Sequence, residues 1–306
     1  MHERFWSGPA DERRLCAALT SAWAIAPGRM AMHVGDLTWG LYQNTVFDPC
    51  TAIRIWEDPH GAILGFVWAT TAFTFTLQPQ PDHAGDDVLL EAMLAWCDVT
   101  ARQWYAAHPA EEASVRLGMA EDDRRCQELA RRHGFAEEGD WMVVMAQSLV
   151  REPAPADLPP GWTLRAVGGE EEWAARVDLH RAVWQSSRVT LDAYRQLRAA
   201  AGYWPELDLV AVAPDGTFGA YCICWLDEAN RVGQFEPVGT HPDWQRRGLA
   251  KAVIAEGVRR LHGLGAERAF VCALSDNPAS VALYQSSGFA PATRELTFHK
   301  LLTGAD

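Results

Sequence analysis

Apolar and polar positions in the second half of the chain fall into short strand-like runs and longer helical stretches, each closed by a turn residue. Residues 162–166, 209–213, 218–226, 231–240 and 268–274 read as strands, with Pro214-Asp215-Gly216 folding the second and third into a hairpin. Helical spacing covers 170–184, 191–201 and 249–262. A further helix starts with Asn277 as N-cap and Pro278 as its first residue, carries Tyr284 two turns in, and stops at Gly288-Phe289. The first half predicts a helix over 10–23, a hairpin around Asp58-Pro59-His60-Gly61 and a strand over 73–77. After these come a helix from 87 to about 105, a strand over 114–119 and a helix over 122–132. Strands alternating with helices predict an α/β class with a mixed central sheet.

The segment 151–161, rich in Pro and Ala and without apolar period, reads as a semi-rigid linker between residues 1–150 and 162–306. Gly134-Phe135 matches Gly288-Phe289, and Gly65-Phe66-Val67-Trp68 matches Gly219-Ala220-Tyr221-Cys222, both at one offset. A shared offset at two distant places predicts an internal duplication.

Chemistry concentrates where the strand over 231–240 gives way to the helix over 249–262. Between them lies Gln245-Arg246-Arg247-Gly248-Leu249-Ala250. A Gly-bearing strand-to-helix turn leaves the first helical N–H groups unpaired at the positive end of the helix dipole, where they can hold a phosphate. Gly248 admits an anion close to the backbone, and Arg246, Arg247 and Lys251 add positive charge. The first half has Gln78 to Asp87 at this place, and the carboxylates of Asp86 and Asp87 suit the dipole but repel a pyrophosphate. At the repeat offset Tyr284 falls opposite Leu129 or Ala130, neither a proton donor. The first half is therefore expected to be catalytically degenerate.

The order strand, QRRGLA, helix, strand, NPASVALYQSSGF, strand resembles the C-terminal half of the GNAT superfamily of N-acetyltransferases over about 235–289. The resemblance implies tandem GNAT-like domains, acetyl-CoA as the acyl donor and an amine acceptor. It implies that Val238, Gly239 and Thr240 hold the pantetheine arm, with the Val238 amide as oxyanion donor, and that Gln245 to Ala250 grips the pyrophosphate. It gives Tyr284 the role of general acid and Glu236 that of base, although some relatives carry this Glu two residues earlier, where Gln234 stands. Asn277 either bonds the pantetheine amide or caps its helix, and the two are compatible. Alternation places Gln234, Glu236 and Val238 on one face. His241, also a base by chemistry, enters a loop before Pro242 and reads as surface structure. The tandem layout and length are similar to those of mycothiol synthases. Amino sugars, aminothiols and antibiotic-like amines all stay open as acceptors, and a non-catalytic acyl-CoA-binding regulator or a peptide N-acetyltransferase stands as the alternative.

A formal net charge of −13 over 306 residues argues against a nucleic-acid partner and modestly favours an amine. No apolar run approaches a membrane span and no signal core follows Met1, so a cytoplasmic protein without membrane partner is expected, as monomer or homodimer. Seven scattered cysteines fit reduced thiols. Cys222 and Cys224 lie two apart on one strand face without further zinc ligands, so no metal is expected. Of 14 tryptophans, most read as packing, and a minority lining a cleft would stack on a sugar or organic cation.

Overall fold

The computed structural model describes residues 1–26, 32–43, 48–71, 73–108, 114–151, 155 and 157–302. Part of the linker, residues 152–154 and 156, lies outside them. In chain order the elements are β1 (His2–Phe5), α1 (Pro9–Ile25), α2 (Val34–Gln43), α3 (Pro49–Ala52), β2 (Ile53–Glu57), β3 (Ile63–Ala69), β4 (Thr74–Pro79), α4 (Asp87–Ala107), β5 (Ser114–Ala120), α5 (Arg124–Arg132) and β6 (Ala136–Ser148). There follow β7 (Thr163–Ala166), α6 (Glu170–Val183), α7 (Leu191–Ala199), β8 (Asp208–Val212), β9 (Phe218–Asp227), β10 (Val232–Thr240), α8 (Leu249–Gly263), β11 (Arg268–Leu274), α9 (Pro278–Ser286) and β12 (Ala290–Leu301). Helix α5 starts at 124 rather than 122 because the Asp123 side chain accepts the Cys126 N–H and so takes the N-cap position.

Two compact units result. One comprises residues 1–32, 47–143 and 293–306, the other residues 33–46 and 144–292. Each is built on the same plan. In the first, neighbouring strands run β1-β2-β3-β4-β5-β12, antiparallel except for the parallel β4/β5 pair. In the second they run β7-β8-β9-β10-β11-β6, antiparallel from β7 to β10 and parallel at β10/β11. The units therefore do not follow the linear division at 150 and 162. Of the strand after α5, residues 136–143 stay with the first unit and 144–148 go to the second; most of the strand after α9 goes to the first, and α2 joins the second.

Packing explains the placement of α2. Gly35 lies so close to Trp225 on β9 that a Cβ there would stand 2.3 Å from the indole Cγ, and only a bare backbone permits that approach. Trp39 then joins Val177, Leu197, Ile223 and Trp225 in a buried cluster between helices and sheet. On the opposite face α8 buries Ala252, Val253, Ile254, Val258 and Leu261, and its Gly257 lies against Phe235 and Cys224. The repeat offset has a structural counterpart: Gly134 and Gly288 both take left-handed φ, 84° and 96°, after α5 and α9.

Candidate active site

A fork in the sheet of the second unit creates the site. The parallel ladder pairs Val232 to Phe235 with Arg268 to Val271 and ends there, although β10 runs on to Thr240 and β11 to Leu274. Val238, Gly239 and Thr240 thus lie on a strand end whose β11 side has opened. On its other side β10 stays paired with β9 through Val238↔Cys222, Gly239↔Tyr221 and Thr240↔Ala220, after a register shift between Phe235 and Val238. That bulge corrects the expectation from simple alternation. The extra residue brings Val238 onto the face of Phe235, opposite that of Gln234, so Val238 does not share a face with Gln234.

The turn after the fork presents an anion cradle. Gln245, Arg246, Arg247 and Gly248 are exposed. Arg246 and Gly248 adopt left-handed φ of 62° and 81°, and a side chain at Gly248 would meet open space. No side chain caps α8, so the N–H groups of Leu249, Ala250 and Lys251 remain available at the positive helix end. The Arg247 guanidinium stacks 4.7 Å from the Trp244 ring centre, and Trp244 packs edge-on to Trp162 at 5.0 Å. This donor set fits a diphosphate. Asn277 caps α9 by accepting the Ser280 N–H at 3.2 Å. His241 accepts the Asp243 N–H at 3.2 Å, a local turn role.

Acid and base chemistry lies beside the fork. Glu236 is partly buried, and its backbone carbonyl accepts the Trp225 indole N–H at 2.6 Å. Burial, reinforced by the charge of Asp36, pushes its carboxyl up to about 8. Tyr284, 7% exposed, has its phenol pushed well above the usual range by burial and then by Glu236. Asp36 belongs to α2 and was not visible as a site residue in the sequence, because no motif surrounds it. Its Oδ1 accepts the Gln234 Nε2–H at 2.6 Å and its Oδ2 the His33 N–H at 2.9 Å. Burial raises Asp36 to about 6 and lowers His33 to about 4. Behind Gly239 stands Tyr221, whose hydroxyl lies 2.6 Å from His180 Nδ1 and accepts the Trp184 indole N–H at 3.0 Å.

The first unit repeats the fork, with side chains packed beside it. The parallel ladder of β4 and β5 ends at Thr76↔Gly118, short of both strand ends. A Cβ at Gly118 would lie 2.2 Å from Glu295 Oε1 and 2.5 Å from the Trp141 ring, so those side chains fill the space beside it. Asp86 caps α4, accepting the N–H groups of Val88 and Leu89. Leu129 and Ala130, opposite Tyr284 in the repeat, are fully buried.

Residues 172–289 match the acetyltransferase (GNAT) family. This segment is a GNAT acetyltransferase domain. Mycothiol acetyltransferase of Saccharopolyspora erythraea is 28% identical over 217 residues, covering 69% of each chain. That of Saccharomonospora viridis is 26% identical over 195 residues, 60% of this chain and just under two thirds, 64%, of the relative. Among solved structures, a GCN5-related N-acetyltransferase from Sphaerobacter thermophilus has a TM-score of 0.68 at 18% identity, covering 100% of this chain and 97% of that one. A tandem GNAT protein from the clavulanic acid biosynthesis pathway has a TM-score of 0.68 at 14% identity, covering 100% and 99%. The fold is that of a tandem GNAT protein, and the acetyltransferase match lies in residues 172–289. Among the described residues no helix is long and apolar enough to cross a membrane, and no cluster of three or more His, Cys, Asp or Glu forms a metal site.

Proposed function

We propose that the protein transfers the acetyl group of acetyl-CoA to the primary amine of a small molecule, with the second unit catalytic and the first unit unable to bind the donor. The observation that carries this reading is the open fork between β10 and β11 running into the uncapped start of α8. The α8 N–H groups and the arginines around Gly248 would hold the pyrophosphate, and the strand end 238–240 the pantetheine arm. Its Val238 amide faces the charge that develops on the acetyl oxygen. Asn277 keeps its carboxamide nitrogen for a pantetheine carbonyl while its oxygen caps α9.

Glu236 takes a proton from the acceptor's ammonium so that the neutral amine attacks the thioester carbonyl, and Tyr284 protonates the departing thiolate. The two steps reinforce each other. Negative charge on Glu236 raises the proton affinity of Tyr284, so protonating Glu236 makes Tyr284 a better donor when the sulfur needs it. In the first unit Asp86 takes the corresponding helix N–H groups, and Trp141 and Glu295 pack against Gly118 beside the ladder's end, which supports the reading that this unit does not hold the donor. Because the curated relatives are mycothiol acetyltransferases, a cysteinyl amine on a sugar conjugate leads the acceptors to be screened, followed by amino sugars and antibiotic amines.

Thiol release from acetyl-CoA, followed with each amine in turn, tests the reading. Tyr284→Phe is expected to lower kcat about 10²-fold or more with little change in the KM for acetyl-CoA. Unchanged kcat removes Tyr284 as the acid. Donor binding without turnover of any amine removes the enzyme reading in favour of a regulator.

A further inference from the structure

Trp184 is a large indole left 45% exposed immediately after α6, yet its edge is fixed. Its Nε1–H bonds the Tyr221 hydroxyl at 3.0 Å, and that hydroxyl in turn lies 2.6 Å from His180 Nδ1. Because the indole N–H can only donate, the phenol passes its own proton toward His180, which accepts as a neutral ring. Burial and the nearby Arg176 and Arg181 push His180 down to about 3, so the acceptor persists at working pH. Tyr221 is clamped as well. The Arg176 guanidinium lies 3.7 Å from its ring centre and bonds Asp208 at 2.9 Å, and Asp208 is also held by the hydroxyls of Tyr194 and Tyr203.

This pillar stands at the reaction centre. A Cβ at Gly239 would lie 2.7 Å from Val183 Cγ1 and 2.8 Å from Tyr221 Cε1, so the residue before Trp184 and the phenol that anchors it both abut the opened strand end. Glu236 also lies near enough for its charge to act on Tyr221. An exposed aromatic face held rigid beside a polar reaction centre serves binding: the ordering cost is already met, and the face is left for a ligand ring.

Resting on the acetyl-transfer reading, we propose that Trp184 is the specificity wall for the acceptor, and that the acceptor carries its primary amine next to a ring that stacks on the indole. A saturated sugar ring offers its C–H face and an aromatic ring its π face, and both use the same wall.

The test compares wild type with Trp184→Leu, Trp184→Phe and Tyr221→Phe on glucosamine, phenethylamine and the open-chain butylamine. Ring-bearing amines are expected to win over butylamine in kcat/KM. Trp184→Leu should cut that ratio about tenfold, chiefly through KM. Trp184→Phe should restore most of it, and Tyr221→Phe should lower it in part by releasing the indole edge. Acetyl-CoA affinity by calorimetry checks the fold of each variant. Saturation-transfer NMR on the ring protons of glucosamine and phenethylamine reads binding at the wall independently of turnover, and Trp184→Leu should abolish the signal. A wild-type signal that Trp184→Leu abolishes, with no amine turned over by either protein, supports the wall while removing the transferase reading. A ring preference unchanged in Trp184→Leu, or no ring signal in wild type, overturns the proposal. The relative strength of glucosamine and phenethylamine tells which ring the wall serves.

Discussion

Glu236 sits in an environment that changes the behaviour of its carboxyl. Its unfolded carboxyl titrates near 4.5 and its folded carboxyl near 8, so across that window the folded protein holds a proton that the unfolded chain has released. Stability contributed by this group therefore falls as pH rises from about 4.5 to 8 and stays low above. Glu236→Gln should melt higher than wild type at pH 9 while the two differ least at pH 4, and its rate should lack the limb that rises through about pH 8 in wild type. Melting curves and pH-rate profiles check both, and a Tm gap independent of pH would reject the assigned titration. Resemblance to the family, carried by the motifs around Gly248 and Gly288, singled out Glu236 and Tyr284 as site candidates. It missed Asp36, which reaches Gln234 across 198 residues of chain and carries no local signature.

At the scale of elements, the contrast between α8 and α4 states what a helix start needs in order to hold an anion. Helix α8 begins at a left-handed glycine with no side-chain cap, whereas Asp86 occupies the same donors at α4. Gly248→Asp would transplant that cap. An aspartate tolerates the left-handed backbone better than bulkier residues, so α8 should persist while acetyl-CoA affinity drops about tenfold or more. Calorimetry of wild type should show one donor molecule per chain. Two would assign a second site to the first unit, and unchanged affinity in Gly248→Asp would remove the cradle. These elements were legible because caps, turn glycines and apolar period are local properties: β11 and the start of α9 fall at the expected residues. The bulge in β10 was not legible, since it depends on how Phe235 and Val238 register against β9.

For the whole molecule, the linear reading of two halves captures the duplicated plan but not the distribution of segments. Residues 33–46 and 144–148 help build the second unit, and residues 293–301 supply a strand of the first. Strand exchange leaves no mark in either half because the choice of β11 or β5 as the neighbour of β6 or β12 is a long-range pairing. A protein cut to residues 151–306 should consequently lack cooperative unfolding and acetyl transfer, and co-expression with residues 1–150 should restore both. A fragment that melts sharply and acetylates at the full rate would show that α2 and β6 are dispensable.

The exchange also orders the birth of the protein. Because the first unit waits for its strand from residues 293–301, its earlier residues, 1–32 and 47–143, cannot settle into a finished sheet until residue 301 has been made. The first unit is thus completed after the second, whose last residue is 292.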